Sequence, residues 1–239
     1  MTTSNLFWFI NISLAQISFG QNCALLASEP SAWFRFDEPR FKAGNFTLVP
    51  GQVGKALQLD GKQNFVEVPG ATPGVDVGDG DFTIELWVRI GNNKTIQNIV
   101  DKRDTSAKGF LIYTTRGRPG FQVTGETPID AIVKDSLLAD LKWHHVAGVV
   151  KRLPPQPIKV YVDGKLVGHS ARNAPLQNLN NKVPMWIGRH HRNDLVDRDN
   201  IFFMGSVDEL SIFKRALSDA EILSIFQAGS KGKCKSQKK

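Results

Sequence analysis

Two adjacent acid pairs, Asp37-Glu38 and Asp208-Glu209, two adjacent histidine pairs, His144-His145 and His190-His191, and two cysteines, Cys23 and Cys234, are the residues of this chain whose types could do chemistry. Carboxylates at a strand end can meet a hard cation with oxygen ligands, and Asp37-Glu38 stands just before Pro39; the plain alternative is a solvated turn. Asp208-Glu209 falls inside a strand pattern, where one side chain can point to solvent and the other needs a hydrogen-bond network or a cation. His190-His191 lies in the charged stretch 189–200. Neighbouring imidazoles on a loop could bind a metal, yet adjacent side chains diverge and the spacing fixes no third ligand. His144-His145 lies within a strand, its members facing opposite sides, which fits structural histidines. No Gly-x-Ser-x-Gly elbow, phosphate loop or His-Glu-x-x-His occurs, so the motifs of these hydrolases and nucleotide enzymes are missing.

The elements that must position these residues are strands. Ile158, Val160 and Val162 alternate with Lys159, Tyr161 and Asp163, which predicts one apolar and one polar face. Asp163-Gly164 supplies the positive φ angles of a two-residue hairpin turn. Lys55 to Val68 repeats that logic, with Asp60-Gly61 opening a turn and Val66 and Val68 on a return strand. Phe82, Ile84, Leu86, Val88 and Ile90 share one face of the clearest strand, and Thr83, Glu85, Trp87 and Arg89 the other. Trp87 thus sits among polar residues, able to stack on a sugar ring or to be covered by a second layer. Met185 to Gly188 carries Trp186 on another short strand, and Phe202 to Phe213 is the last long strand segment. Near the end, Ser218-Asp219-Ala220-Glu221 forms a capping box ahead of Ile222, Ile225 and Phe226, and Gly229 closes the helix.

Together these predict an all-β, antiparallel body with one short C-terminal helix, in a single domain spanning 21–230. The formal charge is +7, but Lys231, Lys233, Lys235, Lys238 and Lys239 carry five of the positive charges, so the basicity is assigned to a tail at 231–239 and no nucleic-acid partner is expected. Leu6 to Phe19 is an uncharged apolar run too short to span a bilayer, and Ser18 and Gly20 stand at the −3 and −1 positions of a cleavage site before Gln21. Residues 1–20 are therefore expected to be a signal peptide, although no basic residue precedes the run; the alternative is an N-terminal strand. Export predicts a secreted or surface protein with no transmembrane segment once the signal is removed. Cys23 and Cys234 flank the patterned region, and the first and last strands of an antiparallel sandwich commonly neighbour each other, so a disulfide between them fits. In the chain-entropy model, closing so long a loop contributes roughly 4 to 5 kcal/mol.

The segments GKALQLDGKQNFVEVP, DFTIELWVRI, WHHVAGVV, IKVYVDGKLVG, WIGR and GSVDELSIFKRALSDAEI, in that order, resemble the laminin-G-like domains of the concanavalin A-like lectin/glucanase superfamily, over about Trp33 to Phe226. The resemblance implies a jelly-roll β-sandwich in a secreted or surface protein that binds glycans, glycoproteins or other proteins. It also implies calcium at the sandwich rim, held by Asp37 or Glu38 and Asp208, with Asp60 a further candidate. Pro39-Arg40-Phe41-Lys42 replaces the polar loop that often supplies further ligands. Hydrolases of the superfamily carry Glu-x-Asp-x-x-Glu along one strand, which neither Glu85 nor Asp208-Glu209 satisfies. Phe41 to Phe46 resembles a motif of its alginate lyases, but that motif belongs late in those chains and its companion segments are missing. The expectation is a non-catalytic module that recognises extracellular carbohydrate through Trp87 or Trp186, with a protein-interaction or matrix-assembly domain as the alternative.

Overall fold

The computed structural model describes residues 23–37, 46–91, 96–152, 158–170, 177–191 and 202–235. The expected signal segment 1–20, Glu38, the 41–45 stretch and the proline-rich connection 153–157 lie outside the described residues. In chain order the strands are β1 (Ala32–Phe34), β2 (Thr47–Pro50), β3 (Lys55–Asp60), β4 (Val66–Val68), β5 (Phe82–Arg89), β6 (Ile96–Arg103), β7 (Gly109–Thr115), β8 (Arg118–Thr124), β9 (Pro128–Ile132), β10 (Trp143–Val150), β11 (Ile158–Val162), β12 (Lys165–His169), β13 (Met185–Ile187) and β14 (Met204–Phe213), followed by helix α1 (Asp219–Ala228).

They form two sheets. The first has eight strands in the order β12-β11-β10-β5-β14-β3-β2, with β1 also paired to β14; the second has six, in the order β4-β13-β6-β7-β8-β9. Every ladder between these strands is antiparallel. The alternation that marks each strand is what builds the core. Phe82, Ile84, Leu86 and Val88 point from the first sheet and Val66, Met185, Ile187, Val100, Ile112 and Phe121 from the second into one buried cluster. This is a two-layer antiparallel β-sandwich consistent with a jelly roll, as the sequence predicts.

The hairpin at 163–164 forms as expected, Asp163 and Gly164 having φ angles of 49° and 76°. The segment 55–68 does not. β3 pairs with β2 and β14 in the first sheet, whereas β4 pairs with β13 in the second. Asp60 turns the chain by accepting the Lys62, Gln63 and Asn64 amides, and the residues from Gly61 to Phe65 carry it across the sandwich. Val66 and Val68 still face the core, but from the opposite layer.

The eight-stranded sheet has a second, smaller core on its outer side. Ala147, Val149, Tyr161 and Phe213 there meet Leu217, Ile222 and Ile225 of the helical segment. The capping box starts that helix as the sequence predicts, with Ser218 accepting the Glu221 amide and Glu221 reaching back to Ser218 N–H. Arg215 then pins Glu221 through two hydrogen bonds, 2.9 and 2.6 Å long.

Candidate ligand-binding site

One end of the outer face of the eight-stranded sheet lies under α1, and among the described residues no helix covers the other end. Strand register places Thr47, Gln58, Ser206, Arg89 and Trp143 in a single row across β2, β3, β14, β5 and β10. Along β5 and β10 this face continues through the pairs Trp87–His145 and Glu85–Ala147, which the helix reaches and the row does not. The Arg89 guanidinium sits 5.1 Å from the centre of the Trp143 ring, a cation–π distance, and donates to Ser206 Oγ at 3.3 Å. Ser206 Oγ in turn donates to Gln58 Oε1 at 2.9 Å, while Gln58 Nε2 donates to the carbonyls of Leu59 and Gly205. Gln58, Arg89 and Ser206 form the floor of a cleft of about 400 Å³ walled by Gly91, Leu141, Met204 and Gly205, and Trp143 stands beside it against Arg89. Leu141 is 71% exposed and Met204 46%. Among the described residues no carboxylate pairs with Arg89. The cleft therefore offers a cation, a hydroxyl and an amide, with the Trp143 indole next to Arg89, the groups that bind polyhydroxylated or anionic ligands.

Trp87, expected as the sugar-stacking residue, belongs to the covered end. It is 3% exposed and lies against Phe226 of α1, centroids 5.9 Å apart, and against His145. It cannot meet a ligand in this structure, because the helix occupies its face. The functional candidate missed by sequence reasoning is Trp143, two register positions along from His145 on the same outward face.

Beneath the same cover lies a buried charge cluster. β14 carries a β-bulge between Asp208 and Ser211, with Glu209 at φ 53°. The extra residue lets both acids leave the core face before Leu210 and Ile212 return to it. Neither acid reaches solvent, contrary to expectation for one of them. Lys233 Nζ lies 3.0 Å from Glu209 Oε2 and 3.1 Å from Glu85 Oε1, His145 Nε2 lies 3.0 Å from Glu85 Oε2, and Trp33 Nε1 donates to Glu209 Oε2. Burial disfavours the Glu85 carboxylate, but Lys233 and His145 outweigh it and hold its pKa below the ordinary value; for Glu209 burial prevails and the pKa rises. Lys233, assigned by sequence to a solvated tail, is thus the internal counter-ion, so the folded body continues through residue 233. Cys23 and Cys234 form the expected disulfide right beside it.

Trp186 is half-buried on the outer face of the six-stranded sheet, where register sets it between Glu67 and Asp101. That face is a polar network rather than an aromatic platform. Arg103 donates to both Asp101 oxygens, at 2.8 and 2.9 Å, and to Gln122, which donates to Asp130. Tyr113 OH also donates to Asp130.

The carboxylates expected to hold calcium separate into two places. Asp208 Oδ2 accepts the Val53 amide and Asp208 Oδ1 that of Glu209, while Asp37 Oδ1 accepts the Lys55 amide, so both brace the turn between β2 and β3. Asp60 stands opposite Met204, four residues along β14 from Asp208 and roughly 13 Å away at strand spacing, and is occupied by its own turn. Calcium takes six to eight oxygen ligands. Asp37 and Asp208 thus come to the same turn, each with at least one oxygen on a backbone amide, while Asp60 lies apart from both.

A laminin-G family model described as concanavalin A-like lectin/glucanases superfamily matches residues 60–223. The chain belongs to this superfamily. Comparison with curated proteins gives no match. Among solved structures, this concanavalin A-like chain is similar to the binding domain of Paraclostridial Mosquitocidal Protein 1 (TM-score 0.63, 20% identity, 77% of this chain and 46% of that one). It is also similar to the Botulinum Neurotoxin serotype G binding domain (TM-score 0.63, 12% identity, 83% and 50%). A third similar structure is the binding domain of Botulinum Neurotoxin DC in complex with SialylT (TM-score 0.59, 15% identity, 78% and 45%). At these identities the likeness concerns the fold alone, and the chain spans about half the length of each. The superfamily includes glycan hydrolases, which makes the Glu85 and Glu209 pair worth weighing as catalytic acids. Both share one lysine within hydrogen-bond reach, but both are buried under the C-terminal segment, with Lys233 where a scissile bond would need to lie.

Proposed function

We propose that this chain is a non-catalytic carbohydrate-binding module of an extracellular protein, and that it takes its sugar in the Arg89–Trp143 cleft. The observation that carries this reading is the register row Gln58–Ser206–Arg89–Trp143, left open by the helix that covers Trp87. Sugar rings present an apolar face that stacks on an indole and hydroxyls that bond amide, hydroxyl and guanidinium groups. Arg89 favours acidic sugars over neutral ones. The binding-domain fold of the similar structures, one of them solved in complex with SialylT, supports a glycan partner, and the Cys23–Cys234 disulfide supports an oxidising compartment.

The test is a broad glycan array, followed by titration of the retained sugar. Trp143→Ala and Arg89→Ala are expected to weaken binding by about tenfold or more each, equivalent to roughly 1.4 kcal/mol, while Trp186→Ala leaves it unchanged. Loss in Trp186→Ala with retention in Trp143→Ala would move the site to the six-stranded sheet and sink this assignment. Running the array in calcium and in EGTA tests the calcium expectation; unchanged retention would remove calcium from the sugar site. The second reading, a protein ligand, is favoured by the exposed Leu141 and Met204 at the cleft's lips. A blank array together with a protein partner lost in Leu141→Ser would establish it.

A further inference from the structure

The connection from β9 to β10, residues 133–142, crosses one end of the sandwich and is tied to both sheets by its backbone. Val133 N–H donates to Pro119 O on β8, Leu138 N–H to Gly117 O in the β7–β8 turn, and Leu141 N–H to Ile90 O just past β5. Val133 and Leu138 turn inward and are buried in the core. Leu137 and Leu141 turn outward, 53% and 71% exposed. Ile96, which begins β6 opposite Thr115, and Met204, which begins β14 opposite Asp60, are exposed at the same end. Four of the eight exposed large apolar side chains among the described residues thus gather there. Scattered singly they would need no explanation, but gathered they mark an interaction surface.

Leu141 adds an independent observation. Its φ is 66°, in the left-handed region that glycine enters freely and a bulky side chain enters at a cost. Its side chain faces solvent, so burial does not offset that cost. Backbone outliers of this kind concentrate where a chain meets its ligands. Exposed cations flank the leucines: Arg116 and Arg118 at the β7–β8 turn, Lys134 at the start of the connection and Lys142 at its end. The acids of the connection are Asp135 and Asp140, and Asp140, like Asp163 of the adjacent hairpin, is turned onto His144. Positive charge therefore prevails around the two leucines.

We propose that this end of the sandwich docks onto a phospholipid bilayer with anionic headgroups, Leu137 and Leu141 entering the interface while Arg116, Arg118, Lys134 and Lys142 meet the phosphates. Separate leucines on a rigid support, ringed by cations, match a surface that is negative outside and apolar beneath, and a fluid surface takes each side chain without a preformed pocket. Long basic side chains reach the headgroups while the leucines go deeper. Leu141 also walls the Arg89–Trp143 cleft but Leu137 does not, and vesicles free of glycolipid offer that cleft no sugar, so docking and sugar binding succeed or fail separately.

Cosedimentation of the disulfide-intact chain with phosphatidylcholine vesicles, with and without phosphatidylserine, tests this. The chain is expected to pellet with the phosphatidylserine vesicles and less with phosphatidylcholine alone. Leu137→Ser and Leu141→Gly should each weaken that binding about tenfold. Leu141→Gly should melt no lower than the unaltered chain, because glycine takes this φ without strain, so its weaker binding is not a loss of fold. Leu25→Ser should change nothing: Leu25 is 72% exposed, but on the segment that leads to Ser28 and Arg215 past the far end of β14. Failure of the unaltered chain to pellet would overturn the proposal, and so would pelleting that both leucine variants retain in full, which would be adhesion by charge alone. A protein partner lost in both variants, with vesicles ignored, would overturn it in favour of a protein surface.

Discussion

Asp208 shows how a residue chosen for one role by its type takes another by its surroundings. Acidity and a place beside Glu209 suggest a cation ligand, but the bulge turns its oxygens onto the amides of Val53 and Glu209 in a buried position. Burial, with the neighbouring Glu209 charge adding to it, pushes its pKa up to about 7 from an ordinary 3.8. Between those values the folded protein holds a proton that the unfolded chain has released, so unfolding becomes easier as pH rises from about 4 to about 7. Glu209, also raised, acts in the same direction, while Asp101 and Glu221, both lowered to about 2, cost stability only as pH falls below the ordinary carboxylate range. The urea midpoint should therefore decline across pH 4 to 7, and Asp208→Asn should flatten that decline. A variant whose slope parallels that of the unaltered chain would mean that another group holds the proton. The same lesson applies to Trp87 and Trp143. The register of β5 and β10 sets both on one outward face, but which of them is roofed depends on where a helix 130 or so residues later comes to rest.

At the scale of elements, what the sequence disclosed was local chemistry. The Asp163-Gly164 turn, the face of β5 and the capping box all follow from residues within a few positions of one another, and all are present. Pairing across the chain was not legible. Asp60-Gly61 resembles Asp163-Gly164 in type, yet one turn closes a hairpin and the other crosses the sandwich, a difference set by what β4 packs against. Likewise the carboxylate that His191 meets, Asp101, comes from β6, ninety residues earlier. The helix is where local signal and global role meet. Its Ser218 cap begins the element that roofs Trp87 and Tyr161. Ser218→Ala should cost about 1 kcal/mol, lowering the melting temperature by roughly 2–4 °C for a chain of this size. Loss of the cap should also raise Trp87 fluorescence quenching by added iodide if the helix frays; an unchanged quenching profile would assign the Trp87 cover to tertiary packing rather than to the cap.

At the scale of the whole molecule, the segments at Cys23 and Cys234 are fastened to each other and to the sheet by one device. Cys23 and Cys234 are linked across a separation of 211 residues, and Ala24 pairs with Lys233 in a parallel bridge through Ala24 N–H to Gly232 O and Cys234 N–H to Ala24 O. That bridge leaves the Lys233 side chain directed between Glu85 and Glu209. Cutting the disulfide releases the entropy of a long loop, about 5 kcal/mol in the chain-entropy model. Removing Lys233 strands two buried acids, at a cost of about 3–5 kcal/mol. If the disulfide acts partly by keeping Lys233 seated, the two losses overlap, since a chain end already released has no ion cluster left to lose. The double-mutant cycle of Cys23→Ser/Cys234→Ser with Lys233→Met, measured by urea unfolding, should then fall short of additivity by about 1 kcal/mol or more. Strict additivity would mean that the segment around Lys233 stays docked without its covalent tie, and that the charge cluster alone is enough to hold it against the sheet.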